Sequence, residues 1–162
     1  MKKILSTLFI LCAVLTFSCT KDNPPHALFL GATLNNKNWI AQPSTSYFAN
    51  RDSLQINGLY TSSDQSLVMK IRFNGVGNYT LSGDQASFNI FLLSGGVSAP
   101  IASYKLDTTQ TNTMSITQYN IKTNIATGKF QIYLVKTQGG ASYDNKLSFT
   151  NGSFWIQLPP VN

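Results

Sequence analysis

Along most of this chain apolar and polar residues alternate one for one. That period suits little besides a β-strand with one face in a core and one in water. In 53–60, Leu54, Ile56, Gly58 and Tyr60 share a face while Ser53, Gln55 and Asn57 take the other. In 66–73, Leu67, Met69, Ile71 and Phe73 oppose Lys70 and Arg72, and in 128–135, Phe130, Ile132 and Leu134 oppose Lys129 and Gln131. From Phe88 to Leu93 only Asn89 is polar, so this segment reads as a strand buried on both faces. Weaker alternation marks 28–34, 38–42, 45–50, 77–81, 101–106 and 113–119. Turn-forming residues punctuate the runs at Asn35-Asn36, Ser62-Ser63-Asp64, Gly75-Val76-Gly77, Ser82-Gly83-Asp84, Gly95-Gly96 and Gly139-Gly140. Apolar residues never keep helical spacing for more than about a turn. All six acids are Asp, and Glu, a good helix former, is absent. The expectation is an all-β fold, an antiparallel β-sandwich, with a partly closed β-barrel as the alternative.

The last strand breaks parity. Leu147 and Phe149 are odd, whereas Phe154, Ile156 and Leu158 are even, with Asn151-Gly152 between them. That pair is either a tight hairpin turn or a bulge, and both keep the apolar residues on one face. Trp155 then leaves the opposite face beside Gln157, and Pro159-Pro160 ends the strand.

The amino terminus has a different grammar. Lys2 and Lys3 precede an uncharged, mostly apolar run from Ile4 to Phe17, 14 residues long. A bilayer takes roughly 20 residues to span, so the run reads as the core of a signal peptide over residues 1–18. It closes in Leu15-Thr16-Phe17-Ser18-Cys19, which resembles the bacterial lipobox, with Thr16 where Leu is usual and small Ser18 before the Cys. The resemblance implies cleavage before Cys19, lipidation of Cys19, and a membrane held through that anchor; two or more acyl chains make such an anchor stable. Residues 19–27 then form a polar, proline-bearing tether, and 28–162 the β domain.

From Cys19 the chain has 144 residues, enough for one domain with a sizeable core. The full sequence carries +6; without Lys2 and Lys3, ten basic and six acidic side chains leave +4. The basic residues are scattered, so no nucleic-acid footprint is expected. Cys12 leaves with the leader and Cys19 carries lipid, so no disulfide can brace the domain.

The residues for familiar catalysis are missing. The single His is His26, in the tether, so no Ser-His-Asp arrangement is available inside the domain. The domain has neither His nor Cys for zinc or iron, no Asp-x-Asp run for calcium, and no Gly-Lys-Ser phosphate loop. Asp64, Asp84 and Asp107 stand at turn signals, where Asp has structural work to do. The expectation is a protein that is not an enzyme and takes no cofactor or metal. Among the aromatics, Trp155 and Tyr133 lie opposite clear apolar stripes. With Gln157 they are the candidate ligand-binding residues, suited to stacking on a sugar ring.

Four stretches share a further pattern: Leu34-Asn35-Asn36-Lys37-Asn38-Trp39, Gly77-Asn78-Tyr79-Thr80-Leu81, Thr127-Gly128-Lys129-Phe130-Gln131-Ile132, and Leu147-Ser148-Phe149-Thr150-Asn151-Gly152-Ser153-Phe154. Together with Cys19 they resemble a group of small, uncharacterised lipoproteins of Bacteroidota, with Asn36 where that group has Gly. The resemblance implies a β fold and an outer-membrane address, and no activity. Cys19-Thr20-Lys21-Asp22 resembles the signal that sends some such lipoproteins to the outer face, with one of its acids absent. Two functions are expected from these readings: a binding or accessory module for a glycan or envelope polymer, or a structural subunit contacting another envelope protein.

Overall fold

The structure, a computed structural model, describes residues 27–160 apart from 49–52, 61, 63 and 95–96. The leader, Cys19, the tether up to residue 26, the Gly95-Gly96 turn, Ser63 of the Ser62-Ser63-Asp64 turn and the end of the 45–50 candidate strand lie outside the described residues. Ten strands follow one another: β1 (Phe29–Leu34), β2 (Lys37–Phe48), β3 (Ser53–Tyr60), β4 (Gln65–Arg72), β5 (Gly77–Thr80), β6 (Ala86–Ser94), β7 (Val97–Leu106), β8 (Thr113–Asn120), β9 (Ile125–Gly139) and β10 (Lys146–Gln157). No helix occurs among the described residues.

Every pairing is antiparallel, and all ten strands belong to one sheet in the order β10-β1-β2-β3-β4-β6-β7-β9-β8-β5. The chain is thus all-β and antiparallel, as its alternation requires. β10 also pairs with β9, so the ladder returns on itself as a ring of hydrogen bonds, with β8 and β5 continuing outward from β9.

β9 makes this possible by changing partners. One edge pairs with β10 from Ile125 to Val135. The other pairs with β8 up to Gln131 and with β7 from Leu134 onward. Backbone groups in the gap still need partners. The Asp107 N–H donates to the Tyr133 carbonyl (2.8 Å), and the Tyr133 N–H donates to Asn112 Oδ1 (2.7 Å). Asn112 is buried, and its Nδ2 donates to the carbonyls of Asp107 and Gln110. One side chain therefore closes the sheet where two strands part.

Inward side chains meet in a single core. Trp39 lies at its centre, edge-on to Phe149 (5.2 Å between centroids) and Phe88 (6.3 Å), with its Nε1 donating to Gln65 Oε1. Gly58 leaves room there: a Cβ at that position would come within 2.4 Å of Leu30 and 3.0 Å of the Trp39 ring.

The closing motif has a packing reason. Gly128-Lys129-Phe130 on β9 faces Gly152-Ser153-Phe154 on β10, with Gly128 opposite Phe154 and Phe130 opposite Gly152. Each phenyl ring covers the other strand's glycine, so both glycines lie where no Cβ fits. Between Phe149 and Gly152, β10 gains one residue on β9 and the strand continues, so Asn151-Gly152 is a bulge and not a hairpin turn. Asn151 takes φ 52°, a left-handed conformation Asn tolerates. Trp155 accordingly leaves the face opposite buried Phe154 and Ile156.

Two expectations change. The run 38–42 and the described part of the run 45–50, residues 45–48, are parts of one strand, β2, which passes through Pro43. β1 pairs with β2 only as far as Ala41, so Pro43 has a ladder partner on the β3 side alone, the edge-like setting proline accepts. β6 is not buried on both faces throughout, since Leu92 is 55% exposed. Pairing with β4 stops at Ile90, and β7 meets β9 only from Ala102 onward, so the β6–β7 hairpin projects beyond its neighbours.

Candidate binding surface

Trp155 sits on the outer face of β10, half-buried, opposite Thr127 of β9 and Phe29 of β1. Across Thr127 lies Gln118 of β8. These strands leave a surface groove of about 440 Å³ lined by Trp155, Tyr119, Ile125, Gln118, Asn120, Thr123 and Thr127. Local chemistry holds its walls. Tyr119 packs edge-on against Phe73 and its hydroxyl bonds Asn124 Oδ1. Asn120 Oδ1 accepts the N–H groups of Lys122 and Thr123, fixing the β8–β9 turn. Thr117, the extra residue of a bulge in β8, bonds to Thr127. No lining residue is charged, so the groove offers an indole, a phenol ring, an aliphatic side chain, amides and hydroxyls.

Gln157 follows Trp155 on the same face, but its Nε2 donates to the Thr123 carbonyl (2.7 Å). That bond clamps the turn beside the groove, and Thr45 Oγ1 in turn bonds the Gln157 carbonyl. Tyr133 also points outward but is not brought to Trp155. It lies six residues further along β9 from Thr127, opposite Ser148, and its hydroxyl accepts a bond from Gln131 Nε2 (2.6 Å). Other large aromatics pack inward: Trp39 and Tyr104 are buried, and Tyr47, Tyr60, Tyr79, Tyr119 and Tyr143 are partly buried against the core.

A polar centre stands beside Tyr133. Asp107 Oδ1 accepts the Thr109 hydroxyl (2.6 Å) and the Thr109 N–H (3.0 Å), and Oδ2 meets Lys146 Nζ at 3.1 Å. Those two bonds from Thr109, and then Lys146, hold the carboxyl at about 2, below its ordinary 3.8. Asp144 accepts from Asn35, Asp64 from Ser62, and Asp84 stands exposed in a turn. Each of the first three thus has a structural partner. Among the described residues no three His, Cys, Asp or Glu side chains gather as a metal site would need.

Reading along single strands did not single out Ile125, Gln118 and Thr127. A signal was present for Thr127. Aligning the two Gly-x-Phe motifs antiparallel puts Gly128 against Phe154, and therefore Thr127 against Trp155.

Fold and surface define a class: an antiparallel all-β domain with a ring-closed ladder, presenting aromatic and neutral polar side chains on the outer face of one long strand. Within it, the chain belongs to the family described as Domain of unknown function (DUF6252), which matches residues 27–157. No curated protein and no solved structure matches the chain.

Proposed function

We propose that this protein is an outer-membrane lipoprotein anchored through Cys19, whose β domain is a non-enzymatic binding module for a glycan or envelope polymer. The observation that carries the reading is the uncharged groove at Trp155. The apolar C–H face of a sugar ring stacks on an indole, while amide and hydroxyl side chains such as Gln118, Asn120 and Thr123 bond its hydroxyls. Trp155→Ala is expected to weaken retention on immobilised envelope polysaccharide while changing the melting temperature little. Unchanged retention would defeat the reading. Cys19→Ala should release the protein from membranes; persistence in the carbonate-washed membrane fraction would defeat the anchor. A screen of glycosidase, esterase and peptidase substrates should be blank, and activity abolished by one Asp→Asn change would make the domain an enzyme.

A second reading, a subunit that contacts another envelope protein, is favoured by a separate feature. Phe29, Ile40 and Leu59 are 37%, 51% and 45% exposed on the outer face of three successive strands. If that patch is the contact, Ile40→Ser with Leu59→Ser should abolish cross-links to an envelope protein in intact cells and leave polysaccharide retention alone.

A further inference from the structure

Three concavities lie end to end along the outward face of β9. The first, about 440 Å³, is the groove of Trp155 beside Thr127. The second, about 510 Å³, surrounds Lys129 and Gln131, between Ser115 of β8 and Asn151 of β10. The third, about 370 Å³, flanks Tyr133. Thr127, Lys129, Gln131 and Tyr133 alternate with buried Gly128, Phe130 and Ile132, so all four side chains leave the same face. At about 3.3 Å per residue, the step from Thr127 to Tyr133 separates the two aromatic platforms by about 20 Å. Gln131 fixes the Tyr133 ring through its hydroxyl. Between them, two residues from Thr127 and four from Tyr133, stands Lys129, exposed and with no side-chain hydrogen-bond or ionic partner among the described residues. The other lysine of the trough, Lys146, is already paired with Asp107.

We propose that this face is a trough for an extended, linear, acidic oligosaccharide, which reaches from Trp155 to Tyr133 and sets a carboxylate of a middle unit against Lys129. The proposal rests on the glycan reading of the Trp155 groove and adds length and charge to it. A ligand of one or two sugar units touches one platform only. A longer chain engages both, and the second contact is made at high effective concentration. The single unpaired cation of the trough, between the Trp155 and Tyr133 rings, favours an anion there over a neutral unit.

The test uses the detergent-solubilised full-length protein and two size-graded probes, oligogalacturonates and uncharged cello-oligosaccharides, each from disaccharide to octasaccharide. Affinity for oligogalacturonates should rise by about tenfold or more between disaccharide and octasaccharide. Tyr133→Ala should remove that rise and leave disaccharide binding intact, while Tyr133→Phe, which keeps the ring, should retain it. Lys129→Gln should bring the acidic series down to the neutral one and flatten its salt dependence. Affinity independent of length, or an octasaccharide indifferent to Tyr133→Ala, overturns the trough and leaves the Trp155 groove standing. Equal affinity of wild type for both series overturns the acidic assignment. No binding of either series, or binding indifferent to Trp155→Ala, overturns the trough and the glycan reading together.

Discussion

At the scale of single residues, two kinds of position carry the structure. One is the glycine beneath a ring. A Cβ at Gly128 would stand 2.2 Å from the Ser115 carbonyl and from the Phe154 ring, and one at Gly152 would stand 2.5 Å from the Phe130 carbonyl. Backbone oxygens cannot turn aside as a side chain can. Gly128→Ala and Gly152→Ala should each lower stability by about 1–3 kcal/mol, as overpacking does, read as a lower urea midpoint. Gly77→Ala, where a Cβ meets nothing within 4 Å, is the control and should change little. The other position is Asp107. Its carboxyl is depressed in the folded chain, so the stability it contributes is present above the ordinary value of 3.8 and is lost as pH falls from there toward about 2. The wild type should therefore lose stability more steeply than Asp107→Asn over that interval, with the two curves parallel at neutral pH. Parallel curves throughout would show that Thr109 and Lys146 do not favour the ionised form.

At the scale of elements, the β1–β2 hairpin shows how two adjacent asparagines divide the work. Asn35 and Asn36 have φ values of 44° and 66°, the left-handed pair of a tight hairpin turn. Asn36 contributes that backbone shape. Asn35 also ties the turn to β10: its Oδ1 accepts the Ser148 N–H (2.8 Å) and its Nδ2 donates to Asp144 Oδ2 (3.0 Å). Asn36→Gly is expected to be nearly neutral, whereas Asn35→Gly should cost about 1–2 kcal/mol for the lost bonds, measured by thermal denaturation. Equal costs would mean that only the backbone matters there. The Gly77-Asn78-Tyr79-Thr80-Leu81 motif has a similar local logic. The Tyr79 hydroxyl accepts the Asn74 N–H and donates to the Gly75 carbonyl, bracing the approach to β5, while Leu81 enters the core.

At the scale of the whole molecule, the sheet closes without a covalent brace. Both cysteines precede Leu28, so the domain must be held by its ladder and core. A chain from Leu28 to Asn162 is expected to give a β-type circular dichroism spectrum and to melt at the same temperature with and without reductant. A helical spectrum, or a melt displaced by reductant, would contradict this account. At the end of the sheet the outermost strand, β5, is only four residues long, which limits the edge it offers to other chains.

The sequence by itself determined what is local. Alternation set which side chains of β3, β4 and β9 point inward, the asparagine pair set the first hairpin, and the parity break at Asn151-Gly152 required an irregularity. It also put Trp155 and Tyr133 on outer faces, because side-chain direction along one strand depends only on that strand. Tertiary structure decided what depends on partners. A bulge and a tight turn satisfy the same parity break, and only β9, running unbroken beside both halves of β10, selects the bulge. The exchange of β7 for β8 along one edge of β9 leaves no mark in local periodicity, since either neighbour satisfies the same alternating face. The Trp155 groove arises by the same route. Its residues come from three strands and a turn and become neighbours through cross-strand register, which is fixed by the packing of the two Gly-x-Phe pairs and not by any residue's own preference.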